Sequence, residues 1–494
     1  MVQLTARAAG VREWLGLAVL ALPTALLGLD LTVLYLVVPH LAEELRPSAT
    51  EMLWIMDAYG FLVAGFLVTM GTLGDRIGRR RLLLIGAVAF GVVSVVAAYA
   101  TSAEMLIAAR AALGIAGATL MPSTLALISN MFPDARQRAV AIGVWATMFA
   151  GGMAAGPLVG GVLLEHFWWG SAFLVAVPVS VVLLVAGPVL LPEYRDPRGG
   201  RLDLPGVALS LATLLPAVYV VKHLAKDGFD ATTVLALVAA LVFGVLFVRR
   251  QRRVPDPLVD VRLFADRRFG FALGMLLLGL VGVGGTLMLV AQYLQSVEGL
   301  SPLAAGAWMG PPALMMLIAG VVAPRVARRV RPGYVVATTL ALSTVGYLIL
   351  ATVDGPGETV PVVAGFALVY LGLGVLAALG TDLVVGAAPP ERAGSASALS
   401  ETVQELGLAF GVATLGSLAT AVYRAEAGPP GGDSLPEAAA AALPAAKVAF
   451  AQGLSVSSLV AGAATLGLAV ATAVALRRIG PLGSSGYGGE SHRE

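Results

Sequence analysis

Six ionisable residues stand within or at the edges of long apolar stretches of this 494-residue chain: Asp30, Asp57, Arg110, Asp382, Glu401 and Glu405. A charge at lipid depth costs about 2.5–3.5 kcal/mol on the insertion scale, so each is a functional candidate. An acid that faces a cavity can take up a proton or hold a cation. Burial favours the protonated acid, whereas a nearby arginine or a bound cation favours the carboxylate. Proton and cation thus compete for one negative site, which is the chemistry of exchange. Arg110 keeps its charge and can set the state of a neighbouring acid. Trp54 and Tyr59 flank Asp57, and aromatic faces suit a lipophilic cation. Glu401 and Glu405 are four residues apart, on one helix face and about 6 Å from each other. Their repulsion predicts a bound proton or a polar cavity at that face. Plainer readings stay open. Asp30 and Arg110 can form a structural ion pair, Asp57 can be a wetted interfacial acid beside belt aromatics, and Arg110 can reach the headgroups. Glu401, Glu405 and Asp382 can be wetted residues near span ends.

The elements that would carry these residues are membrane spans. The hydrophobic fraction is 58%, the charged fraction 13% and the mean hydropathy +0.87, against about 45–50% and 25% for a soluble domain. This excludes an ordinary soluble enzyme, a disordered chain and a nucleic-acid binder. Apolar runs predict fourteen spans, at 14–38, 53–73, 82–100, 105–129, 138–163, 171–191, 204–221, 231–248, 269–294, 302–323, 334–352, 359–385, 396–423 and 453–476. No run has the short apolar core and cleavage site of a signal peptide. There is no cysteine and only four scattered histidines, which predicts no disulfide, thiolate chemistry or metal site. No nucleophile–base set and no G-x-x-x-x-G-K-[ST] loop is present, so neither catalysis nor nucleotide hydrolysis is expected. The expected driving force is an ion gradient, with no cofactor.

Loop charges orient the spans. Of the 32 basic residues, 26 lie at the termini or in even-side loops, five in odd-side loops, and Arg110 inside a span. Cytoplasmic loops retain Lys and Arg, so both termini are predicted to be cytoplasmic. Asp30, Asp57 and Arg110 then fall in the outer half of the membrane. Arginine outnumbers lysine 29 to 3, a composition that points to a GC-rich bacterial genome and a multi-pass protein of the cytoplasmic membrane.

Gly71–Arg80 (GTLGDRIGRR) aligns without a gap on Gly320–Arg329 (GVVAPRVARR), with Asp75 replaced by Pro324. Span two thereby pairs with span ten, as repeated halves do in transporters. The shift of eight implies a six-span half (1–200), two inserted spans with a linker (201–262) and a second six-span half (263–478). An outer loop at 425–452, with a capped turn at Ser434–Glu437, and a disordered tail at 479–494 complete the expected organisation.

Here the chain resembles a known family. Gly71–Arg80, with Gly71, Gly74, Asp75, Arg76, Gly78, Arg79 and Arg80, resembles the signature loop of the major facilitator superfamily. Leu29–Pro39, Arg110–Gly117 and Gly152–Gly161 resemble three motifs of its fourteen-span drug:proton antiporters. Trp54–Tyr59 and Ser400–Gly407 are similar to the QacA-type exporters of quaternary ammonium compounds.

The resemblance implies an all-α integral membrane protein with the 6 + 2 + 6 major facilitator fold. It implies proton-coupled export of lipophilic, cationic drugs, with proton coupling and cation recognition at Asp30, Asp57 and Arg110, and substrate recognition at Glu401 and Glu405. Asp382, Trp54 and Tyr59 are further candidates. It also implies that Asp75 gates by meeting the helix N-terminus near Gly394–Ser397, while the basic side chains of the loop, Arg76, Arg79 and Arg80, can pair with acids such as Asp134. Gly152, Gly156, Pro157, Gly160 and Gly161 form its antiporter motif, a bending seal or plain helix packing. Two departures matter. Ser400 stands where those exporters can carry an acid, and span ten has no acid at all, so monovalent cations are the expectation. The expected partners are a small hydrophobic or cationic substrate, protons and membrane lipid, for a monomer that binds no nucleic acid. A dedicated exporter of one natural product is the alternative, and a non-transporting receptor or scaffold a remote one.

Overall fold

The structure is a computed structural model that describes residues 9–195, 203–227, 230–255, 257–388, 393–428, 435, 438 and 441–477. Strands are absent among the described residues. The principal helices are α1 (Val11–Leu45), α2 (Ala49–Ile77), α3 (Arg79–Ala98), α4 (Ala103–Met131), α5 (Ala135–His166), α6 (Ser171–Leu190), α7 (Leu204–Asp227), α8 (Ala231–Gln251), α9 (Arg267–Val297), α10 (Pro302–Ala327), α11 (Pro332–Leu350), α12 (Thr359–Gly386), α13 (Leu399–Ala427, within a helix that begins at Ala393) and α14 (Leu443–Ala475). Thirteen of them are long and apolar enough to cross a membrane, and α7 carries the shorter apolar stretch Leu204–Val220. The fourteen apolar runs of the sequence each find a helix. The tail 479–494 and the capped turn expected at Ser434–Glu437 fall outside the described residues, Leu435 excepted.

Local chemistry sets the helix starts. The Ser48 hydroxyl accepts a hydrogen bond from the Glu51 amide at 3.3 Å, and the Glu51 carboxylate accepts one from the Ser48 amide at 2.7 Å, a reciprocal capping box. Ser102 caps α4 and Ser301 caps α10, the latter with Pro302 in the first helical turn. α1 ends where Arg46 turns left-handed. Short π-helical turns interrupt the ends or middles of α9, α12 and α13, at Tyr293–Val297, Leu376–Gly380 and Val412–Gly416.

Two groups of helices pack internally. In one, α1 lies on α5, α2 on α4, and α3 on α4 and α6. In the other, α9 lies on α13, α10 on α12, and α11 on α12 and α14. The second set of pairings repeats the first with a shift of eight helices, the shift shown by the Gly71–Arg80 repeat. α7 and α8 form a hairpin of their own. Large apolar side chains such as Val185, Leu235, Leu241, Ile318, Leu348 and Val470 point outward. In a bilayer this outer layer meets lipid tails, so association rests on packing and buried polar contacts rather than on escape from water.

Candidate functional site

Small residues bring α1 against α5. A Cβ on Gly152 would meet the Ala25 carbonyl, one on Gly156 the Thr32 hydroxyl, and one on Gly160 the Val33 side chain. With those Cβ atoms missing, Thr32 donates a 2.9 Å hydrogen bond to the Met153 carbonyl across the seam. Gly161 and Pro157 face the other way, onto Pro302 and Gly306 of α10. The glycines at 152, 156 and 160 thus hold α1, and Gly161 joins the two helix groups.

This seam fixes the turn of α1 that carries Asp30. Its carboxylate accepts a 2.9 Å charge-assisted hydrogen bond from the Arg110 guanidinium, with Asp30 6% and Arg110 2% exposed. Arg110 also donates to the Ile55 carbonyl at 3.2 Å and lies 4.6 Å from the centre of the Tyr59 ring. The guanidinium therefore points inward, and the reading that it reaches headgroups is corrected. It is held by a carboxylate, a carbonyl and an aromatic face together. Asp57 is 1% exposed, so it is not a wetted interfacial acid either.

A small cavity collects these groups. Tyr35 of α1, Asp57 and Tyr59 of α2, Arg110 of α4 and Glu405 of α13 all line it. Glu405 is 6% exposed, and its Oε2 has no hydrogen-bond partner among the described residues. Three carboxylates and one guanidinium thus stand in or beside one enclosed space. Glu401, one turn away, is half-buried and outside the lining. Asp382 is exposed and also outside it. Trp54 packs with Phe61, Val218, Ala409 and Ala413 instead. Tyr35 was not singled out by the sequence, because a tyrosine in an apolar run carries no charge signal.

The basic turn after α2 is clasped within its own helix group. Gly78 takes a φ of +112°, which a Cβ would strain, and that turn brings Arg79 back to Asp75. Arg80 bonds to Glu193 and to the Pro188 and Leu191 carbonyls, while the Arg79 amide donates to the Tyr194 carbonyl. Gly74 packs under Arg79 and Leu82, Gly71 lies near Pro122, and Arg76 is exposed. The chain leaving α6 returns along this loop and brings Glu193 to Arg80. The Asp134 carboxylate accepts the Gln137 amide. The Asp75 gate contact expected near Gly394–Ser397 involves side chains outside the described residues.

The α7–α8 hairpin lies beside the cavity. Leu211 fills the notch at Gly65 of α2, and Val218 is fully buried between Phe61 of α2 and Ala409 and Ala413 of α13. Asp203 anchors its basic end through Arg250, the Gly206 amide and Gln251, whose side-chain Oε1 accepts the Val259 amide. The close approaches between the helix groups include Leu53 near Gly416, Gly60 on Ala409, Gly161 on Pro302 and Gly306 on Pro157. All lie toward the end opposite the arginine-rich loops.

A profile of the Major Facilitator Superfamily matches residues 20–412. The chain is 44% identical over 488 residues to the multidrug efflux pump LfrA of Mycolicibacterium smegmatis, covering 94% of this chain and 97% of that one. It is 36% identical over 425 residues to the methyl viologen resistance protein SmvA of Salmonella typhimurium, covering 85% of each. A bacterial homolog of the human lysosomal transporter Spinster, solved inward-facing and unoccupied, superposes with a TM-score of 0.68 at 19% identity, over 95% of this chain and 98% of that one. At that identity the likeness is one of fold.

Proposed function

The chain belongs to the major facilitator superfamily, and on that premise we propose that it exports lipophilic, cationic compounds in exchange for protons. It is a multi-pass transporter of the bacterial inner membrane and not an enzyme. The observation that carries the proposal is the cavity where Asp57 and Glu405 face each other's helix groups beside the Asp30–Arg110 pair. A carboxylate enclosed there gains from either a proton or a cation, and the two exclude one another. Tyr35 and Tyr59 supply the ring faces that a soft cation favours. The names of the relatives support the same direction, since one pumps several drugs and the other resists methyl viologen, a dication.

The test is accumulation of tetraphenylphosphonium in proteoliposomes under an imposed pH gradient. The gradient is expected to drive uphill uptake, and Asp57→Asn or Glu405→Gln to lower it about tenfold or more, the scale of one buried charged contact. Uptake that ignores the gradient, or survives neutralisation of Asp30, Asp57 and Glu405 together, overturns the proposal. A second reading, export of one neutral natural product, is favoured by a second chamber on the same helices, toward the end away from the basic loops. Its walls include Met52, Met288, Gln292, Tyr423 and Phe450, with no carboxylate among the described residues. Preference for a neutral over a cationic probe in the same vesicles would select it.

A further inference from the structure

The two copies of the basic repeat differ in how their charge is met. In the first, Arg79 holds Asp75 and Arg80 holds Glu193. In the second, Pro324 replaces Asp75. Arg325, Arg328, Arg329 and Arg331 are all exposed, and no carboxylate lies within ion-pair distance of them among the described residues. Among the described residues, Arg325 bonds to the Val321 carbonyl and Arg331 to the Arg477 carbonyl. Four guanidinium groups thus lie close in sequence at the membrane boundary with their charge uncompensated by the described residues.

An apolar groove begins at this cluster. α10 and α11 both lean on α12 and barely touch one another. The space between them is walled by Ile318 and Val322 of α10 and by Tyr334 and Thr338 of α11, and floored by Leu371 and Val375 of α12. Ile318, Val322 and Tyr334 are more than 40% exposed, so the groove opens to the lipid side. Along α10 it extends from Met315 to Val326, a rise of about 16 Å. That equals the depth of one leaflet, half of a core about 30 Å thick.

We propose that this groove is a binding site for an anionic glycerophospholipid, with one acyl chain lying between α10 and α11 and the headgroup phosphate held by Arg325, Arg328, Arg329 and Arg331. An apolar trough of leaflet depth suits a chain, and unpaired arginines at its mouth suit a phosphodiester, which guanidinium binds in bidentate fashion. A zwitterionic lipid fills the trough equally well but brings its own cation to the cluster, so the net charge of the headgroup decides. This assignment is independent of what the cavity transports.

The test is native mass spectrometry of the full-length protein after exchange into mixed micelles of phosphatidylglycerol and phosphatidylcholine. The wild type is expected to retain phosphatidylglycerol preferentially. Arg328→Gln/Arg329→Gln/Arg331→Gln should weaken that preference by about fivefold per arginine. Arg249→Gln/Arg252→Gln/Arg253→Gln, which removes equal charge elsewhere on the same end, should leave it intact. Val322→Trp, filling the trough from its exposed rim, should displace both lipids while keeping every arginine. Equal loss in the two arginine variants, retention in Val322→Trp, or displacement of the lipid by millimolar inorganic phosphate would overturn the assignment.

Discussion

A buried carboxylate held by one guanidinium makes each partner dependent on the other. Arg110→Ala strands the Asp30 carboxylate at 6% exposure, and breaking such a pair costs about 3–5 kcal/mol. Asp30→Asn in the same chain removes the stranded charge. The expected outcome is a large fall in melting temperature for Arg110→Ala and partial recovery in the double variant, read by thermal unfolding in detergent. Additive effects would mean that the pair is not coupled. Transport should stay lost in the double variant, because recovery of fold does not restore the charge. Asp30, Asp57, Arg110 and Glu405 were legible because an ionic group inside an apolar run has no cheap structural explanation. Which glutamate faces the cavity was not legible, since Glu401 and Glu405 share a helical face. The level at which α13 meets α2, Ala409 against Gly60, selects Glu405. Glu193 was missed for another reason. Its bond to the Arg80 amide spans 113 residues, and no local pattern encodes such a return.

At the scale of elements, the α1–α5 seam gives a paired prediction. Gly156→Ala places a methyl against the Thr32 hydroxyl and the Leu29 carbonyl. Overpacking of this kind costs about 1–3 kcal/mol. Gly151→Ala meets nothing within 4 Å and removes a glycine from a helix interior, a gain of up to about 1 kcal/mol. Melting temperature should fall for the first and hold or rise for the second. Equal shifts would remove the seam as a determinant of stability. Asp75→Asn should lower transport while the protein still inserts, as measured by uptake normalised to membrane-extracted protein. The substitution removes the ionic part of the Arg79 contact, and Arg79 also has the Pro122 carbonyl at 3.5 Å. Normal uptake would exclude a gating role for Asp75. The helices themselves were readable from apolar runs and loop charges, because twenty-odd apolar residues allow few other structures. The docking of the α7–α8 hairpin on α2 and α13 was not, since a helix that is apolar all round carries no marker of which face meets protein and which meets lipid.

For the whole molecule, the decisive feature is where the two helix groups touch. Leu53 with Gly416, Gly60 with Ala409, Gly161 with Pro302 and Gly306 with Pro157 all lie toward the end away from the basic loops, so the two groups touch there. An exporter that exchanges substrate for protons has to break some of these contacts and form others. The chain has no cysteine, so an introduced pair can be joined without side reactions. A Cβ on Gly60 would lie 3.2 Å from that of Ala409, near the 3.5–4.5 Å that a disulfide requires. Oxidised Gly60→Cys/Ala409→Cys should therefore hold α2 on α13. Uptake driven by a pH gradient should stop on oxidation and return on reduction, with each single variant insensitive to both treatments. A cross-linked protein that still pumps uphill would show that the α2–α13 contact persists through the cycle. Opening would then have to proceed along the α5–α10 seam, where Gly161 and Gly306 bring the two backbones into contact.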